Sequence, residues 1–155
     1  MTQDTVTFTG LLPYVNYEDA GSMLDWLSRV FGFEERARYV DSDGNVQQAE
    51  MVVGDLELWL SGHGDGYWAA HGGAPDRFIG VWVDDVDAQY RRVRAAGVDA
   101  TEPEDRDYDV RTFNVVDPEG WMWGFMRRLG TGYVQRVPTA EGGLQEVLAD
   151  RTPPA

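Results

Sequence analysis

Cysteine is absent from this 155-residue chain, which excludes disulfides and thiolate chemistry alike. No apolar run nears the roughly 20 residues that a membrane-spanning helix needs. Met1 to Thr9 carries Asp4 and no positive charge, unlike a secretory leader. Basic residues are scarce: 13 stand against 27 acidic ones, a net charge of −14. Nucleic-acid binding depends on cations that neutralise phosphates, and anionic membranes select for the same charge. Neither partner suits this chain, whereas a cationic ligand would be attracted. Histidine occurs only twice. These absences predict a cytoplasmic protein. What is plentiful is core material: 43% hydrophobic and 12% aromatic residues, enough for one folded domain.

The pattern that organises the chain is stated twice. Leu11-Leu12-Pro13-Tyr14-Val15 leads to Asp19 and a helical run from Ala20 to Phe31, closed by Gly32-Phe33. Phe78-Ile79-Gly80-Val81-Trp82-Val83 leads to Asp84-Asp85 and a helical run from Val86 to Ala96, closed by Gly97-Val98. Each helix continues into strand-like segments, which predicts an α+β fold of two tandem βαβββ modules, about 7–62 and 77–128. Asp19 and Asp85 are the expected N-caps, and Gly32 ends the first helix. Met23, Leu27, Val30 and Phe31 share one face of the first helix, with Trp26 beside them. Val86, Tyr90 and Val93 share one face of the second. Phe33 to Val40, Val46 to Val53 and Leu56 to Leu60 read as strands, with turns at Asp41 to Asn45 and at Gly54-Asp55. Val110 to Val116 and Trp121 to Met126 read as strands joined by the turn Asp117-Pro118-Glu119-Gly120. The glycine-rich loop Ser61 to Asp76 is expected to be mobile, and Asp99 to Tyr108 to be irregular. The domain spans 1–129. Residues 130–155 form an extension in which Leu144 to Leu148 reads as a short helix.

Leu12-Pro13-Tyr14-Val15, Val30-Phe31-Gly32-Phe33-Glu34, Val81 to Asp87 and Asp117-Pro118-Glu119-Gly120, in that order and spacing, resemble the glyoxalase/bleomycin-resistance/extradiol-dioxygenase superfamily, the vicinal oxygen chelate fold. The likeness covers about residues 7 to 128. It implies a cupped mixed sheet around a cavity, helices on the outer face, and a homodimer. Enzymes of this superfamily hold a divalent metal with His, Gln and Glu on inward strand positions, leaving open sites for substrate oxygens. Here the corresponding positions are Leu12, Phe78 and Gly124, none of which carries a donor. A register slip of one residue would not restore them, because neighbours point to opposite faces. Glu57 alone sits where some members keep an acidic ligand. The resemblance therefore implies no metal and no cofactor.

Alternation along the strands predicts what lines the cup instead. The ligand-binding candidates are Tyr14, Asn16, Glu57, Trp59, Phe78, Trp82, Arg111, Phe113, Met122 and Met126. Ser61 and the side-chain-free Gly80 and Gly124 accompany them. Leu11, Val15, Leu58, Leu60, Ile79, Val81, Val83, Trp123 and Phe125 then form the core. Such a lining suits stacking on a flat, largely apolar ligand. Trp121, where close relatives often show His, reads as another ring near the mouth or at a dimer contact. Glu57 is the tentative catalytic candidate, and pairing with Arg111 is its structural alternative. His63 and His71 are either loop ligands or solvated side chains. Three functions stay open: a metal-independent protein that sequesters an aromatic or cationic compound such as an antibiotic; a lyase, isomerase or dioxygenase with a shifted or metal-free site; and a dimeric accessory protein with a filled cup.

Overall fold

A computed structural model describes residues 5–130 in full, and the backbone of Tyr133–Pro138 and Leu144–Ala149. The chain divides into two compact units, the first ending at Gly73 and the second beginning at Ala74. In the first, β1 (Tyr14–Tyr17) and α1 (Ala20–Trp26) precede β2 (Glu34–Val40), β3 (Val46–Val53) and β4 (Leu56–Gly62). The strands lie in the order β1-β4-β3-β2, with β1 parallel to β4 and the other pairs antiparallel. A short helix, α2 (Tyr67–Ala70), follows.

The second unit repeats the plan. Strand β5 (Phe78–Trp82) and α3 (Val86–Ala95) precede β6 (Glu104–Arg106), β7 (Val110–Val116) and β8 (Met122–Arg128). The order β5-β8-β7-β6, with β5 parallel to β8, matches the first sheet. Both expected N-caps form: Asp19 accepts from the Ser22 N–H at 3.0 Å, and Asp85 from the Ala88 N–H at 2.9 Å. The Ser22 hydroxyl also bonds Asp19 and, with the backbone amides, holds its carboxyl below the usual value.

The first helix ends differently from the expected α-helix. Leu27–Phe31 form a π-helical turn, with Gly32 left-handed at φ 80° behind it. The wider turn lets Leu27, Val30 and Phe31 all face the core. Beneath them, Val15, Tyr17, Ala49, Met51, Leu58 and Leu60 are buried on one side of the first sheet. In the second unit, Val86 and Val93 of α3 are buried with Phe113, Val115, Trp123 and Phe125, while Tyr90 meets Phe113 edge to face at 5.5 Å. Each unit thus seals one sheet face with one helix.

Four expectations change. Leu11 was placed in the core, yet it is 92% exposed, because β1 begins only at Tyr14, after Pro13. Asp99 to Tyr108 contains the edge strand β6. The loop after β4 is tied down rather than loose: it carries α2, and Glu18 accepts from the Trp68 N–H at 3.0 Å. Leu144 to Leu148 is not helical. Leu144–Ala149 is β10, antiparallel to β9 (Tyr133–Pro138), with Glu146 directly opposite Arg136. A run this short gains little as an isolated helix, so an available partner strand wins.

The turn before β8 is fastened by a buried carboxylate. Asp117 accepts from the N–H groups of Glu119 and Trp121 and from the Trp123 indole, each at 3.0 Å. Trp121 is itself only 6% exposed, so it belongs to this buried corner and not to a mouth. Asp117→Ala orphans three donors and should cost about 2–4 kcal/mol in urea unfolding. A loss below about 0.5 kcal/mol would contradict this role.

Candidate functional site

Because alternate residues of a strand point to opposite faces, sealing one face of each sheet fixes what the other presents. On the first sheet the face away from α1 carries Tyr14 and Asn16 from β1, and Glu57, Trp59 and Ser61 from β4. The parallel register sets Tyr14 beside Trp59 and Asn16 beside Ser61. The two rings meet edge to face at 5.9 Å. The Trp59 indole nitrogen is buried and has no acceptor among the described residues. Glu57 is paired with Arg36, whose Nε also lies 3.5 Å from Glu50. The expected partner, Arg111, is therefore not the one Glu57 uses.

On the second sheet the face away from α3 carries Phe78, Gly80 and Trp82 from β5, and Met122, Gly124, Met126 and Arg128 from β8. The antiparallel register adds Val116 beside Met122, Asn114 beside Gly124 and Thr112 beside Met126. Gly80 and Gly124 lie side by side and would leave a trough across the sheet. Side chains lean into it. A Cβ on Gly124 would stand 2.3 Å from the tip of the Phe78 ring, and one on Gly80 would stand 3.3 Å from the Met126 methyl. The volume the glycines give up is thus taken by a ring and a thioether. Phe78 remains 52% exposed. Beside it lies a hollow of about 150 Å³, bounded by Pro75, Asp76, Arg77, Gly120 and Met122. Arg128 places its guanidinium 4.7 Å from the centre of the Trp82 ring.

Two candidates fall on the wrong side. Phe113 pairs across strands with Phe125 on the helix-covered face, stacks on that ring at 5.3 Å, and is 1% exposed. Arg111, two residues back, shares that side and bridges Asp87 of α3 at 2.9 Å and Asp105 at 2.8 Å. The hydrogen bonds hold the Asp87 carboxyl below its usual value and raise Arg111 further. Both residues fasten α3 to the sheet. Sequence alternation went astray because it was not anchored to the β7–β8 register, which pairs Asn114 with Gly124. The same register would have selected Thr112 and Asn114. Arg128 was missed because β8 runs two residues beyond Met126.

The histidines form part of a stack. The His63 ring lies parallel to Tyr67 at 4.0 Å, and His71 covers Tyr67 at 4.2 Å. His71 Nδ1 lies 2.8 Å from the Tyr67 carbonyl, which can only accept, so Nδ1 carries the proton. His63 Nε2 lies 3.0 Å from the Asn16 side-chain oxygen. These contacts fasten the loop to the end of β1. A polar hollow of about 470 Å³ nearby is lined by Glu18, Asp19, Asp25, Arg38 and His63 among others. Arg38 there already bonds Asp25 and Glu35.

The sequence profile of the Glyoxalase/Bleomycin resistance protein/Dioxygenase superfamily matches residues 6–125, and the chain belongs to that superfamily. Among solved structures it is similar to TioX from Micromonospora sp. ML1, at 31% identity over 79% of this chain and 100% of that one, with a TM-score of 0.65. It also resembles a bleomycin resistance determinant encoded on the transposon Tn5, at 19% identity over 78% and 98%, TM-score 0.62. A bleomycin-binding protein from bleomycin-producing Streptomyces verticillus, complexed with copper(II)-bleomycin, matches at 22% identity over 78% and 97%, TM-score 0.59. The last two likenesses establish the fold alone. No curated protein matches the chain in sequence.

The Phe78–Gly124 contact is testable by a double-mutant cycle. Gly124→Ala should destabilise the protein by about 1 kcal/mol through crowding. In a Phe78→Ala background the same change should be close to neutral. Equal costs in both backgrounds would mean that the ring does not fill the trough.

Proposed function

We propose that this protein binds a flat aromatic or cationic small molecule, of the kind represented by antibiotics, without a metal ion and without transforming it. The observation that carries the reading is the second sheet's open face, where Phe78, Trp82, Met122 and Met126 crowd around two adjacent glycines. Aromatic and thioether surface of this kind favours ring stacking. The bleomycin-binding relatives support a binding role on the same fold. The net charge of −14, and the glutamates beside Trp59, support the cationic option.

A divalent metal does not fit the positions where the superfamily's enzymes hold one. Leu12, Phe78 and Gly124 offer no donor, and the Phe78 ring fills the space above Gly124. Among the described residues no group of three or more His, Asp or Glu is arranged to hold an ion. Glu57, the one acidic candidate, is engaged by Arg36.

The reading is tested by titrating chelator-treated protein with polycyclic antibiotics while following tryptophan fluorescence. Saturable quenching is expected, the ligand should be recovered unchanged in mass, and Trp82→Ala should weaken binding about tenfold. Binding that requires added metal, or a ligand recovered altered, would overturn it.

We also propose a homodimer. In the segment before β1, Val6, Phe8 and Leu11 are 76%, 94% and 92% exposed, apolar surface that a second copy would cover. Sedimentation should show dimers at micromolar concentration. Monomers alone would remove this part of the reading.

A further inference from the structure

We propose that the open face of the second sheet takes flat aromatic ligands that carry an uncharged oxygen along one edge, such as a ketone or a phenol, with Asn114 and Thr112 as the selecting residues. This rests on the binding role proposed above and specifies the ligand chemistry of one face.

Across β7, β8 and β5 the register forms rows. Asn114 stands beside Gly124 and then Gly80, and Thr112 beside Met126 and then Trp82. In both rows the β8 and β5 positions are apolar, and the hydrogen-bonding side chain belongs to β7. Apolar floor thus meets a polar border along one strand. Alternate residues of a strand lie about 6.7 Å apart, so Asn114 and Thr112 meet two points on the same edge of a flat ligand.

The Asn114 amide stands at the floor and is unused. A Cβ on Gly124 would lie 3.1 Å from its Oδ1 and would also overlap the tip of the Phe78 ring, so amide and ring converge over the same glycine. The Asn114 backbone is held by Thr101, whose hydroxyl accepts from the Asn114 N–H at 2.8 Å and whose own N–H donates to the Asn114 carbonyl at 3.0 Å. The side-chain amide makes no hydrogen bond among the described residues. A half turn about χ2 exchanges its oxygen and nitrogen, so the same group donates to a ketone or accepts from a phenol.

Thr112 supplies the second, independent observation. It is 6% exposed, and its hydroxyl is buried without a hydrogen-bond partner among the described residues. Buried hydroxyls nearly always have a partner, and a ligand oxygen would supply this one. The residue directly opposite is Met126, whose unbranched thioether repacks readily and can uncover the hydroxyl.

The test compares 9-fluorenone with fluorene by equilibrium dialysis against chelator-treated protein. Both are uncharged and share one flat tricyclic frame; fluorenone adds a keto oxygen on one edge. Transfer out of water alone favours the hydrocarbon, so a preference for the ketone reports a hydrogen bond. The wild-type protein should bind fluorenone about fivefold more tightly. Asn114→Leu and Thr112→Val keep side-chain size and remove the polar atoms. Each should lower the ratio, and the double variant should bring it to one or below. The ratio is the readout because lost packing weakens both ligands alike. The carbonyl stretch of bound fluorenone should lie at lower wavenumber in the wild type than in the double variant. A wild-type ratio at or below one, or a ratio that survives the double substitution, overturns the proposal while leaving the binding role intact. Failure of both ligands to bind overturns both.

Discussion

A β-strand turns successive side chains to opposite faces, and here a single helix claims one face of each sheet. Everything else about the candidate site follows from that constraint. Met23, Leu24, Leu27 and Val30 bury Val15, Leu58 and Leu60, so Tyr14, Asn16 and Trp59 are left on the other side. Val86 and Val93 bury on the side of Phe113, Val115, Trp123 and Phe125, so Phe78, Trp82, Met122 and Met126 are left opposite. Large apolar residues on the unsealed faces contribute little to the core of their own unit. Their presence there is the physical reason behind the proposed binding role.

The same constraint governs the metal question. An ion held by this fold needs donors on the unsealed faces, and the positions in question carry leucine, phenylalanine and glycine. The structure adds something that composition does not contain: Phe78 lies over Gly124. A glycine beside a large ring is a packing pair, one member giving up volume that the other fills. In the proposed reading, these positions contribute surface for dispersion and stacking rather than donors for an ion. On the second sheet the polar groups of the unsealed face are Arg128, Thr112 and Asn114, with the Glu104–Arg106 pair on β6.

Much of the fold was legible because its signals are local. Asp19 and Asp85 cap helices through contacts three residues away, and Gly32 and Gly97 adopt the left-handed conformation that ends them. The repeated βαβββ order follows from those markers. The sheet face a residue takes was legible only where one strand's own alternation decided the matter, as for Tyr14, Trp59, Phe78, Trp82, Met122 and Met126. Phe113 and Arg111 needed the pairing between β7 and β8, which depends on how many residues the Asp117 turn consumes. Leu11 needed the point at which β1 begins. The His63–Tyr67–His71 stack needed a helix too short for periodicity to reveal. Residues 144–149 needed their antiparallel neighbour β9, just upstream in the chain, a pairing that the propensity of one segment alone does not encode.

The most direct measurement is methyl NMR on chelator-treated protein with labelled methionines, as an aromatic ligand is added. Met122 and Met126 flank the glycine trough, whereas Met23 and Met51 lie in the buried core of the first unit. Ring stacking on the open face should shift the Met122 and Met126 methyl signals and leave those of Met23 and Met51 unmoved. Shifts at Met23 and Met51 alone, or shifts that appear only after a divalent metal is supplied, would contradict the account.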